Sequence, residues 1–550
     1  MSENLSKLSG RKGLIDNLFE RLASEASGDG TPSIEGIRHV AQDYLVGTAN
    51  VYGAASFYDF LSEENKGKRV YTCSGSACMI AGTQETLESE LKSHFKEEEI
   101  GKMCCLGRCH ENGAFNYNGN NYSAKSAEEI RDIISNKTVS PDSYHEAFYG
   151  KTVFDKVANS AEQLRDVIQK AIGGGDAQLL EEIKTSGVRG RGGAGFPAGF
   201  KLESCRNEQA EVKFIVCNAD EGDPGAYSDR WLMEAKPWSV IGGMILAGIA
   251  THANWGALYI RAEYPESIRI CKDAIEKCFE MGILGEGILG SEYSFELKVI
   301  AAQGAYICGE ETALLSSIEG QRPEVRVRPP YPTQEGLFNK PTVVNNVETL
   351  SCYTFIADQG GEAFRTRGTE RSTGSKLVSL DSFFNRPGMY EVEMGTPLRV
   401  VIDELGKGFK EPVKAMHIGG PLGGLVPVSA IDNLTVDFES FANNGFLLGH
   451  ASVVCIPEGY PLVQYLEHLF EFTAHESCGK CFPCRLGSVR GKEMLHKAQH
   501  EDYKIDRELM DDLLETLEQG SLCALGGGLP LPVKNALQYF DQELGAYFKN

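Results

Sequence analysis

Eight of the sixteen cysteines in this 550-residue chain fall into two groups of four whose spacing suits metal chemistry. The first is Cys73-x4-Cys78 with Cys105-x3-Cys109, the pairs separated by 26 residues. Each pair can place two thiolates on one iron, and two pairs supply the four ligands of a [2Fe–2S] cluster. Structural zinc also accepts four thiolates, so this spacing alone leaves both metals open. These four are expected in two exposed, glycine-flanked loops. The second group is "ESCGKCFPCRLG", Cys478-x2-Cys481-x2-Cys484, with Cys523 of "GSLCALGGG" after 38 intervening residues. Three cysteines at x2 spacing wrap one face of a cubane, which tetrahedral zinc seldom requires, so [4Fe–4S] is expected here. Iron at the second group favours iron at the first. Lys480 and Arg485 would offset the charge of a thiolate-ligated cluster. The other cysteines, Cys104, Cys205, Cys217, Cys271, Cys278, Cys308, Cys352 and Cys455, have no partner at ligand spacing and read as small buried apolar residues.

A third stretch, "SGVRGRGGAGFPAGFK" (186–201), contains Gly190-x-Gly192-x-x-Gly195, the spacing of a dinucleotide fingerprint. With 61 glycines in the chain the pattern alone is weak. An ordinary Rossmann turn must also follow a strand and open a helix. Here the preceding "GDAQLLEEIKTSG" has helical spacing, and the first convincing strand, "VKFIVCNAD", comes afterwards. The Rossmann reading fails on context.

The elements that must position these groups belong to a soluble protein of roughly three to five domains. A formal net charge of -23 argues against nucleic acid as a partner. The polar start "MSENLSKLSGRKG" lacks the apolar core of a signal peptide. The longest apolar run, "WSVIGGMILAGIA" (238–250), is too short to span a bilayer and reads as a buried helix. No direct membrane insertion is expected; the chain reads as cytoplasmic, where disulfides are disfavoured. Residues 1 to about 65 carry helical patterns. "KRVYTCSGSACM" reads as a strand entering a loop, "TQETLESELKSHF" as a helix, "AFNYNGNNYSA" as a hairpin and "AEEIRDIISN" as a helix. A linker-like region follows residue 145, then a long α/β segment, a β-rich unit and a helical C-terminal ninety or so residues.

Clusters carry single electrons and need a source. Four further stretches bear on it: "CNADEGDPGAYSDR" (217–230), "GAYICGEETALLSSIEG" (304–320), "RVRPPYP" (326–332) and "KPTVVNNVETL" (340–350). With the glycine loop and both cysteine groups, in order, they resemble the NADH-oxidising flavoprotein subunit of respiratory complex I. The first 145 residues resemble its thioredoxin-like [2Fe–2S] neighbour. The resemblance implies an α/β multidomain chain. Its parts would be a helical segment (1–65), a thioredoxin-like [2Fe–2S] domain (66–145) and a Rossmann-like FMN/NADH domain (146–372). A ubiquitin-like β-grasp domain (373–460) and a helical bundle with the [4Fe–4S] cluster (461–550) would follow.

The glycine loop then looks like a nucleotide cradle of a different build, its backbone amides close to FMN and NADH, with Arg191 and Lys201 supplying positive charge. The resemblance implies FMN held by Gly190, Arg191, Gly192, Gly193, Lys201, Asn218, Asp220, Gly309, Glu310, Glu311, Asn345, Asn346 and Thr349. It places Phe196, Asp223, Arg328 and Tyr331 about NAD(H), with Tyr306 also among the cofactor-binding residues. No catalytic acid or nucleophile is implied; Glu221 and Asp223 would position hydride transfer from nicotinamide C4 to flavin N5. Three residues depart from the family: Asp223 stands for the usual Glu, Tyr331 for Phe, and Ser204 where a second stacking Phe is expected. Fusion of the [2Fe–2S] and flavin modules resembles diaphorase subunits of soluble NAD-dependent formate dehydrogenases and NAD-reducing or bifurcating hydrogenases. The implied partners are an iron–sulfur subunit and a catalytic formate dehydrogenase or hydrogenase subunit. The alternatives are a fused NADH dehydrogenase subunit of respiratory complex I, or an electron-transfer scaffold with an inactive flavin site.

Overall fold

Three sheets organise the chain in a computed structural model that describes residues 10, 12–28, 30–140 and 143–549. The polar stretch 1–9 lies outside the described residues. The first sheet holds β1 (Val70–Cys73), β2 (Ile100–Met103), β3 (Phe115–Tyr117) and β4 (Asn120–Tyr122) in the order β2-β1-β3-β4. β1 and β2 are parallel, and β3 and β4 form the expected hairpin. Helices Gln84–Leu91 and Ala127–Ile134 bury Leu87, Leu91, Ile130 and Ile133 against this sheet.

Residues 145–149 read as linker in the sequence. In the structure they form β5 (His145–Tyr149), an edge strand of a different sheet. Its exposed side chains give no alternating apolar pattern, and only pairing with a distant strand makes it one.

The second sheet holds β6 (Phe214–Ala219), β7 (Trp255–Ile260), β8 (Glu296–Ala301) and β9 (Thr342–Asn346), all parallel, in the order β8-β7-β6-β9. Covered on both faces, these strands read as apolar runs rather than alternation. One cover is the helix Pro237–Thr251, buried almost throughout as its composition implies. It crosses the helix Val347–Gln359 so closely that a Cβ on Gly243 would lie 2.0 Å from the Leu350 carbonyl oxygen. The other cover is the N-terminal helices Leu18–Glu25, Ile34–Asp43 and Thr48–Ala55. Their apolar faces share a core with Phe214, Val216, Tyr259 and Ile300. Asn17 fastens them by donating to the Ile318 carbonyl at 2.7 Å.

The last sheet comprises β10 (Ser375–Leu380), β11 (Gly388–Glu393), β12 (Val413–Ile418), β13 (Gly424–Pro427) and β14 (Ser452–Pro457), with β5 added beside β11. Its first and last strands, β10 and β14, are parallel neighbours at the centre, the arrangement of a β-grasp sheet. Helices from Leu462–Glu476 onward complete the chain.

Candidate active site

The order β8-β7-β6-β9 reverses direction at β6, so a crevice opens beyond the carboxyl ends of β6 and β9, where α/β sheets bind ligands. The register sets Asn218 of β6 beside Asn346 of β9 at this rim. Asn218 donates to the Gly309 carbonyl at 2.7 Å, and Asn346 caps the helix Val347–Gln359 while donating to Asp229 at 2.7 Å. Into this crevice runs the glycine loop, between helices Asp176–Ser186 and Ala198–Asn207. A helix therefore precedes it, as its context implies, and a second helix follows. Its neck is closed by Gly190 N–H to Phe196 O at 2.8 Å and Ala198 N–H to Val188 O at 3.0 Å. Gly193 and Gly195 have φ of 114° and 59°, conformations that L side chains rarely adopt. Arg191 N–H donates to Thr349 Oγ1 at 2.8 Å, and Gly192 lies so close to Asn346 that a Cβ would meet it at 3.0 Å.

The Arg191 guanidinium departs from expectation. It is wholly buried and donates to the Thr373 carbonyl, with Nε and Nη1 unpartnered. Lys201 carries the cation of the pocket instead, at 2.7 Å from Glu311, whose other oxygen lies 2.8 Å from Arg328. Burial alone would raise the Glu311 pKa, but Lys201 and Arg328 outweigh it and hold the carboxyl below its ordinary value. Glu310 lies beside it with one oxygen 3.7 Å from Arg328, while its other oxygen caps the helix Glu311–Ile318, accepting from Thr312 and Ala313 N–H at 2.9 Å. Asn345 donates to Tyr353 OH and is buried.

Phe196 and Phe200 are 46% and 61% exposed with ring centroids 5.8 Å apart, edge to face. Tyr331 is 54% exposed, just after Arg328. Helix Ala198–Asn207 touches this segment through Ser204, which donates to Thr333 at 2.9 Å. Asp223 accepts from Tyr306 OH at 2.6 Å, and burial pushes its pKa to about 6. Glu221 is inside the protein: its oxygens accept from Ser228 Oγ and from the N–H groups of Asp229 and Arg230. Burial pushes its pKa to about 7.

The first cysteine quartet forms at the carboxyl ends of β1 and β2, whose register aligns Cys73 with Met103. Its four sulfurs are buried, not in exposed loops as expected, because the segment 220–225 closes over them. The N–H groups of Gly75, Gly107 and Gly225 donate to Cys73, Cys105 and Cys109 sulfurs at 3.4, 3.4 and 3.3 Å. Such amide donors suit cluster thiolates. Cys105 and Cys109 sulfurs are 3.3 Å apart. Hydrogen bonds from Cys109 and Cys73 hold the Cys105 thiol low, while bonds to Cys105 push Cys73 and Cys109 up. Held as four thiolates, these sulfurs would need a cationic metal group between them.

In the second quartet, Cys478 follows the helix Leu462–Glu476, Cys484 precedes Ser488–His500, and Cys523 caps Ala524–Gly528. All four pack in one cluster with Phe472 and Leu525.

Both quartets adjoin the crevice. The segment 220–225 carries Asp223 to Tyr306 and Gly225 to Cys109. Tyr306 packs on Phe472 at 4.9 Å and its N–H donates to Glu476 at 2.8 Å, two residues before Cys478.

This arrangement agrees with three family models: the Nuo51 FMN-binding domain over residues 183–353, the NADH-ubiquinone oxidoreductase-F iron-sulfur binding region over 464–547, and the thioredoxin-like [2Fe-2S] ferredoxin over 11–138. The mitochondrial NADH-ubiquinone oxidoreductase 51 kDa subunit of Aspergillus niger is 34% identical over 392 residues, 70% of this chain and 78% of the relative. The chain belongs to the family of that 51 kDa subunit. Another relative, NADP-reducing hydrogenase subunit HndC of Solidesulfovibrio fructosivorans, is 40% identical over 374 residues, 68% of this chain and 76% of the relative. A chain of an NAD+-reducing [NiFe]-hydrogenase in its H2-reduced state superposes with a TM-score of 0.85 at 27% identity, over 97% of this chain and 92% of that one. As a member of the 51 kDa family, the protein is an NAD-dependent oxidoreductase with FMN, [4Fe–4S] and [2Fe–2S] groups.

Sequence reasoning passed over Phe200. Its signal was present: an aromatic four residues before Ser204, hence one turn back on the same helix face. The capping roles of Glu221 and Glu310 were also missed, although Glu310 stands just before a helical run, an N-cap position.

Proposed function

We propose that this chain is the diaphorase module of a soluble, cytoplasmic NAD-linked complex of the hydrogenase or formate dehydrogenase type. The observation that carries this is the fusion itself. One polypeptide holds both cysteine quartets and the flavin crevice, and 97% of it superposes on a single chain of an NAD+-reducing hydrogenase. The 34% identity to a subunit of an NADH-ubiquinone oxidoreductase supports a second reading, a fused NADH dehydrogenase subunit of respiratory complex I.

The residues fit the groups assigned to them. Gly190, Gly192 and Gly193 would admit FMN against the backbone, with Asn218, Asp220, Asn346, Thr349 and Lys201 at its edges. Asp220 Oδ2 is a buried acceptor without a partner in the crevice. When bound, FMN supplies the exchange of a two-electron hydride for single electrons. Around it, Asp223 and Tyr306 position the nicotinamide end, Phe196, Phe200 and Tyr331 offer apolar ring faces, and Arg328 pairs with a phosphate. Phe482, Leu486 and Leu522 are exposed beside the half-buried Cys481 and Cys523, an apolar rim suited to a partner subunit with its own cluster.

Purification under anaerobic conditions from native cells tests this reading. Co-purification of a hydrogenase or formate dehydrogenase subunit supports it; a quinone-linked membrane assembly in their place overturns it.

A further inference from the structure

We infer that the C-terminal bundle carries a second kind of metal site, a surface site for Zn²⁺ or a similar borderline divalent ion, formed by His496, His500 and Glu467. Two helices build it. His496 and His500 stand four residues apart near the end of the helix Ser488–His500, hence on one face. Glu467 faces them from the helix Leu462–Glu476. One ligand atom from each lies within 4.8 Å of the other two, so small rotamer changes close them on one ion. His496 Nδ1 and Glu467 Oε1 are already 2.8 Å apart, and the two imidazole centroids are 4.4 Å apart.

An ion pair between His496 and Glu467 would explain two of these residues, but leaves His500 beside His496 without a role. A divalent ion uses all three. The donor set of two imidazoles and one carboxylate selects zinc, cobalt or nickel over calcium or magnesium, which prefer oxygen. The carboxylate is also oriented from outside: Gln499 donates to Glu467 Oε2 at 2.6 Å, as supporting residues do around metal ligands. Of the nearby charges, Lys492 is held at 2.7 Å by Glu471. Both histidines are exposed, so a water completes the coordination.

The two helices also carry the [4Fe–4S] cysteines at their other ends, with Cys478 after one and Cys484 before the other. His496 lies 12 residues beyond Cys484, about 18 Å along a helix, so the site clasps the hairpin away from the cluster.

The test uses the cluster-loaded protein, dialysed against a mild chelator and then titrated with zinc chloride. The proposal expects one zinc retained per chain, iron unchanged, and a zinc-dependent rise in melting temperature. Co²⁺ in place of zinc should give visible ligand-field bands. Gln499→Ala should weaken zinc binding by about 10- to 100-fold, and His496→Ala with His500→Ala should abolish it. Both histidines are exposed and Gln499 is half-buried, and unchanged cluster spectra will show that the variants fold. Zinc retained equally by the double variant, zinc entering only as iron leaves, or no retention by the wild type would each overturn the proposal.

Discussion

Phe200 is the side chain with most to lose in a simple test. It lies edge to face with Phe196 and is largely exposed, with no packing duty to justify its size. A nucleotide ring stacked there gains about 0.5–1.5 kcal/mol beyond area burial. Phe200→Ala should therefore raise KM for NADH roughly two- to tenfold, with FMN content and kcat towards ferricyanide unchanged. An unaltered KM would remove Phe200 from the site. Glu311 poses a different question, since its charge is shared between Lys201 and Arg328. A carboxylate here disfavours a 2′-phosphate, and its removal also frees two cations to attract one. Glu311→Gln should raise the use of NADPH relative to NADH, by roughly fivefold for about 1 kcal/mol of charge interaction. Steady-state kinetics with both nucleotides will read the ratio.

At the level of elements, buried carboxylates tie segments together. Glu391 of β11 accepts from the Phe154 N–H at 3.0 Å and from Val153 and Ser375, pinning the segment after β5 to the sheet. Burial raises its pKa from 4.5 to about 7. Below pH ~4.5 both folded and unfolded chains hold the proton. As pH rises towards about 7 the unfolded chain releases a proton that the folded chain keeps, so this group's contribution to stability falls across that window. Glu391→Gln should flatten the profile, so that melting temperature between pH 5 and 7 declines less than in the wild type, by on the order of a few degrees. Parallel profiles for the two proteins would refute the assignment.

For the whole molecule, the crevice has a cluster site on each of two sides. The segment around Asp223 leads to Cys109, and the segment around Tyr306 leads to Cys478. The two quartets are independent ligand sets on separate elements. Cys481→Ser should therefore abolish the [4Fe–4S] electron paramagnetic resonance signal and keep that of [2Fe–2S]. Intact protein should hold about six irons and one FMN, and zinc in their place would contradict both assignments. The purified single chain should reduce ferricyanide with NADH but neither oxidise formate or hydrogen nor reduce quinone. Turnover of any of these by the isolated chain would reveal a substrate site beyond the flavin crevice.

The chemistry of this protein is carried by short-range spacing, and the sequence alone determined it. Cysteines separated by two to four intervening residues can reach one metal group, whatever surrounds them. A glycine loop preceded by helical periodicity cannot be a Rossmann turn. The apolar strands and the helix at 238–250 were legible because burial on all sides leaves a plain composition. Tertiary structure decided what depends on contacts between distant residues. The first quartet is buried because Gly225 closes over it from more than a hundred residues away. Arg191 turns inward because the Thr373 carbonyl accepts its proton there. β5 becomes a strand only by pairing with β11. Glu467 meets His496 and His500 only because two helices pack side by side. Local patterns record which groups can bind, whereas long-range packing selects which of them face a ligand and which serve the fold.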